Sequence, residues 1–133
     1  MNQELKDILE VIDRLEARLN RYGSFYQVVI IALIGWILSS NINLSLFEGV
    51  LAVASVIVFL SSNLIYWISC TKRILAAEKE LNSLAQNRDF MNSDWKKALS
   101  TPQMANRLPW GISLHILVDV LVIALIATRI NWS

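Results

Sequence analysis

The feature that most constrains this chain is the gathering of its apolar residues into three long runs almost free of charge. Phe25 to Ser40 carries no charge, Leu46 to Cys70 is uncharged after Glu48, and Trp110 to Thr128 contains only His115 and Asp119. A helix needs about 20 apolar residues to cross a bilayer, with a range of roughly 17–25. The second and third runs meet that length outright. The first is short, but it continues a helical pattern set upstream and recruits Tyr22 and Gly23. A water-soluble core is the alternative home for such runs. At 133 residues and 55% hydrophobic, the chain exceeds the usual composition of a soluble domain and is too small to hide the excess. The expected fold class is therefore an all-α integral membrane protein with three transmembrane helices.

The spacing of apolar residues extends the first two spans beyond the membrane. Leu5, Ile8, Ile12, Leu15, Leu19 and Tyr22 step by 3-4-3-4-3, the a/d seam of a short coiled coil, and Tyr26, Val29, Leu33 and Trp36 continue in phase. After the second span, Ile74, Ala77, Leu81, Leu84 and Arg88 repeat the 3-4 spacing. A continuous helix of about 45 residues reaches roughly 65–70 Å, well beyond the hydrocarbon layer. The expected arrangement is a long antiparallel hairpin extended into the cytosol. Its parts are a heptad helix over 2–22, spans over 23–40 and 45–70, and an extension over 71–90. A linker over 91–108 and a third span over 109–130 follow.

Basic residues orient the chain. With the N-terminus in the cytoplasm, Arg129 is the one Lys or Arg of twelve placed outside, and the opposite orientation would translocate the other eleven. Tyr22, Phe25, Tyr26, Tyr66 and Trp67 at the inner ends, Trp36 toward the outer end, and Trp110 and Trp132 around span three form two interfacial belts. The first twenty or so residues alternate acids and bases, so neither a cleavable signal peptide nor a transit peptide is expected. A bacterial inner membrane is the default location, with the C-terminus periplasmic or extracellular.

Local signals punctuate these elements. Ser45-Leu46-Phe47-Glu48 fits a capping box, which makes Glu48 a helix cap in preference to a site residue. Ser93 to Leu99 reads as a short interfacial amphipathic helix on the inner leaflet, with Trp95 inserted and Lys96 and Lys97 near lipid phosphates. Pro102 and Pro109 interrupt the link to span three, and Pro109 suits a first helical turn.

Asp119 is the most informative single residue, because a carboxylate near the middle of a span costs several kcal/mol unless it is partnered. His115 lies one turn below it on the same face, and Ser61, Ser62 and Asn63 of span two fall at a similar depth. Three readings stay open for this cluster: polar residues lining an ion or proton path, docking of Asp119 onto a basic group of a partner, or a neutral packing contact. Small residues form stripes at Ala32, Gly35 and Ser39 and at Ser55, Ser62 and Ser69, a pattern that lets helix backbones approach closely. Packing within the chain is the default for them, and packing between chains the alternative.

Other functions are disfavoured by what the sequence lacks. It has no Gly-rich phosphate loop, no HExxH and no CxxC, and one His with one Cys cannot build a metal cluster. No catalytic residue, metal site or cofactor is therefore expected. A net charge of +1 gives no reason to expect nucleic acid as a partner. Cys70, at the inner interface, reads as a small packing residue.

The plan of residues 2–88, a short seam, a transmembrane hairpin and a helical extension, resembles the small membrane effectors of bacterial antiviral and nucleotide-signalling systems, including SLATT-type proteins. That resemblance implies assembly into pores. The third span departs from a two-span plan. The leading functional expectation is an oligomer that forms or regulates an ion-permeable path. In it Leu5, Ile8, Ile12, Leu15 and Leu19 serve as an oligomerisation seam. The second is a non-catalytic accessory subunit of a larger membrane complex, with a membrane or cytosolic protein as partner.

Overall fold

A computed structural model describes residues 3–39, 41–87, 92–101 and 104–132. The described residues are helical apart from short connections: α1 (Gln3–Ser39), α2 (Leu46–Gln86), α3 (Ser93–Ser100) and α4 (Met104–Ala127). Three of these helices are long and apolar enough to cross a membrane, and little of each apolar window is buried inside the chain. Phe47 is 78% exposed, and Val28, Ile31, Val58 and Ile65 are also well exposed. Water would penalise such a surface heavily, whereas acyl chains match it. The membrane character expected from the apolar runs thus reappears as apolar helix faces turned outward.

Helix α1 runs unbroken through Arg21 and Gly23, and α2 through the end of its apolar run at Cys70. The chain forms two compact units, Met1–Arg21 with Trp67–Gly111 and Tyr22–Tyr66 with Ile112–Ser133. In the first unit Leu5 and Ile12 of the seam are buried and Ile8, Leu15 and Leu19 partly so, taken up within the chain where an oligomerisation seam would have to stay open. They share this unit with buried Cys70, Thr71, Ile74, Leu81, Ala85 and Met104. The Cys70 thiol donates to the Leu15 carbonyl at 3.5 Å, while Arg88 lies outside the described residues.

In the second unit the core is Ile30, Ile37, Val56, Leu60, Val122 and Ile126. Here α1 departs from the strict heptad: Ile37 is 2% exposed, whereas the seam residue Trp36 is 49% exposed. An α-helix turns every 3.6 residues, so a 3.5-residue repeat slips by about 20° per heptad. Over the length of α1 that slip moves the buried stripe on by one residue. The turn between α1 and α2 is closed by backbone pairing, with Leu44 N–H donating to Arg129 O at 2.9 Å and Asn131 N–H to Leu44 O at 2.8 Å. Ile130 then fills the space where a Cβ at Gly49 would sit.

Helix ends follow from their caps. Ser45 and Glu48 form the expected box: Ser45 N–H and Oγ donate to the Glu48 carboxylate at 2.9 and 2.7 Å, and Glu48 N–H returns to Ser45 Oγ at 3.4 Å. The Asn92 side chain caps α3 by accepting from Asp94 N–H at 3.0 Å. Helix α4 begins at Met104, inside the stretch expected as linker, so Pro109 lies within the helix and not in its first turn. The earlier start is stabilised by Glu78, whose carboxylate accepts from Met104 N–H at 3.2 Å. Pro102 lies outside the described residues.

Candidate functional site: a Tyr–Asp–His cluster joining α1 and α4

Asp119 sits on the inner face of α4 in the second unit, with Val122 and Ile126 of the core on the turns above it. Tyr26 of α1 donates its phenol hydroxyl to Asp119 Oδ1 at 2.7 Å. The second oxygen, Oδ2, faces His115 Nδ1 at 3.3 Å, and the ring donates there when Nδ1 carries the proton. The His115 and Asp119 side chains are 9% and 14% exposed. The Tyr26 and His115 rings also pack on each other, with centroids 4.1 Å apart at 39°. Each carboxylate oxygen therefore has one close polar neighbour, and the group is enclosed by a phenol, an imidazole and aliphatic side chains.

The α4 half of this arrangement was legible, since an i, i+4 pair shares a helix face. Its α1 half was not: Tyr26 reads from sequence as a seam residue and an interfacial aromatic. The available signal was its place on the seam, because a phenol turned into a helix contact needs a hydrogen-bond partner. The α2 residues expected in the cluster play no such part among the described residues. Ser61 and Ser62 are exposed, and Ser62 Oγ donates to its own helix at Val58 O at 2.8 Å. Asn63 is half-buried, with no hydrogen bond to the Asp119 carboxylate. Serine in an apolar helix satisfies its hydroxyl on the preceding turn, which removes the drive toward a distant acid.

The small-residue stripes lie elsewhere than their default role requires. Ala32, Gly35 and Ser39 on α1, and Ser55, Ser62 and Ser69 on α2, are all exposed. Around Gly35 nothing lies within 4 Å of a Cβ position. None of these six residues is buried within the chain; the small residues that serve internal contacts are others, such as Gly49 against Ile130 and Gly111 against Trp67. Ser55 Oγ, like that of Ser62, donates to its own helix, at Leu51 O.

Among the described residues no group of three or more His, Cys, Asp or Glu side chains is placed to hold a metal ion. Compared with known protein families, curated proteins and solved structures, the chain matches none.

Proposed function

We propose that this protein is a small multi-pass membrane protein that self-associates to form or regulate an ion-permeable path. Its first two spans form a long antiparallel hairpin, its N-terminus is cytoplasmic, and the membrane is the inner membrane of a bacterium. The observation that carries the reading is the outward display of Ala32, Gly35 and Ser39 on α1 and of Ser55, Ser62 and Ser69 on α2. Small residues on a span earn close approach only from another helix, and none of this chain's own helices takes up the Gly35 face. A second copy is the simplest supplier of that helix.

In this reading Tyr26, Asp119 and His115 are the polar element of the membrane region. They tie α1 to α4 and present a carboxylate and an imidazole to the path when those helices move apart. The alternative, docking of Asp119 onto a partner's basic group, is weakened because both carboxylate oxygens already face groups of this chain.

Expression is expected to lower the membrane potential of the host cell, read with a potential-sensitive dye. Asp119→Asn should weaken the effect, because it removes the charge while keeping the side chain's size. Full depolarisation by that variant would remove Asp119 from the mechanism. A wild-type chain that inserts without any depolarisation would refute the ion path itself.

A further inference from the structure

Charge in the first unit changes along its helices, from a mixed end that also holds Lys6, Arg14 and Lys79 to a basic end. The carboxylates of α1 lie at Glu4, Asp7, Glu10, Asp13 and Glu16, and those of the α2 extension at Glu78 and Glu80, all on the side remote from the apolar runs. Toward the apolar runs come Arg18 and Arg21 of α1, Lys72 and Arg73 of α2, and Arg107 of α4. All five are exposed. Among the described residues none of the five makes an ion pair, whereas Arg14, closer to the acids, pairs with Glu10.

Contacts within the unit set these five residues at one level. Cys70 meets the Leu15 carbonyl, and Gly111 abuts the Trp67 ring. The positive charges of Arg18 and Arg73 are both felt at the Cys70 thiol. Counting along the helices from these contacts places all five α-carbons within about 15 Å of axial height. Trp110, 80% exposed and one turn beyond Arg107, falls within this range of height, above Lys72, Arg73 and Arg107 and below Arg21.

Lys96 and Lys97 of α3, the basic pair expected at lipid phosphates, each have an interaction within the chain. Ala98 and Leu99 of the same helix line a cleft with Leu9, Ile12 and Leu81, roughly three turns from the end of the α1 seam. Unpaired cations on three helices, at the foot of the apolar runs, match one kind of partner by charge and position.

We propose that Arg18, Arg21, Lys72, Arg73 and Arg107 form a collar that binds anionic phospholipid headgroups of the cytoplasmic leaflet. The proposal rests on the membrane-spanning reading above. Each basic group near an anionic surface strengthens binding about fivefold, so five together strongly favour anionic over zwitterionic headgroups.

The test is native mass spectrometry of the full chain, purified in mild detergent from membranes and exposed to equal phosphatidylglycerol and phosphatidylcholine. The wild-type chain should retain phosphatidylglycerol at least about tenfold over phosphatidylcholine, and R18Q/R21Q/K72Q/R73Q/R107Q should lose that preference. K96Q/K97Q should keep it, as should the charge-conserving R18K/R21K/R73K/R107K. If the fivefold variant does not accumulate in membranes, R107Q and K72Q/R73Q carry the same test, each losing about fivefold per charge removed. Unchanged preference in the collar variants, loss in K96Q/K97Q, or displacement of the lipid by inorganic phosphate alone would overturn the collar. Release of the wild-type chain by alkaline carbonate would instead refute the membrane-spanning reading, which separates the two failures.

Discussion

At the scale of single residues, the Tyr26 hydroxyl and the Asp119 carboxylate join elements 93 positions apart in the chain. Side-chain hydrogen bonds inside membranes average about 0.6 kcal/mol and reach about 1.7 kcal/mol. A bond to a carboxylate belongs at the upper end of that range. Tyr26→Phe should therefore cost about 1–1.5 kcal/mol, measured by unfolding in mixed detergent micelles. Asp119→Asn made in the Tyr26→Phe background should cost less than in the wild-type chain, because the two groups share one interaction. Additive costs would mean that the pair is not coupled. The capping box belongs to the same scale: Ser45→Ala removes both hydroxyl contacts with Glu48 and should cost about 1 kcal/mol by the same measurement.

At the scale of elements, two glycines separate internal from external packing. Gly111 lies against the Trp67 ring, so Gly111→Leu should prevent the α2–α4 contact and lower stability by several kcal/mol. Gly35 faces open space, so Gly35→Leu should leave the unfolding midpoint of the solubilised chain almost unchanged while reducing self-association, read by cross-linking in membranes. Loss of folding in that variant would place the Gly35 face inside the fold. At the outer end, Ile130→Ala should cost about 2–4 kcal/mol, because a buried aliphatic group over Gly49 is replaced by a void.

Much of this was legible because helical periodicity and capping are local. The seam from Leu5 to Leu19, the Ser45–Glu48 box and the helix at Ser93 all follow from neighbours within one or two turns. Three features escaped that logic. The shift from Trp36 to Ile37 accumulates over the whole of α1. The early start of α4 depends on Glu78, 26 positions away. Tyr26 finds Asp119 only once α1 and α4 are in contact. The depth match that grouped Ser61, Ser62 and Asn63 with His115 was a statement about height alone, and rotation about the α2 axis decided otherwise for the two serines.

At the scale of the whole molecule, three helices long and apolar enough to cross a membrane bury little of their apolar windows, and Ala32, Gly35, Ser39, Ser55, Ser62 and Ser69 are exposed on two of them. Lipid suffices to cover the large aliphatic side chains, but a small-residue stripe gains little from lipid and much from a helix backbone. Self-association of the chain is the proposal that these exposed faces support. Its most direct test is the mass of the particle purified in mild detergent, measured by light scattering with the detergent contribution subtracted. The expected result is one discrete integer multiple of the chain mass, lowered by Gly35→Leu. A monomer at all protein concentrations, or a single chain bound to a larger membrane protein, would contradict it.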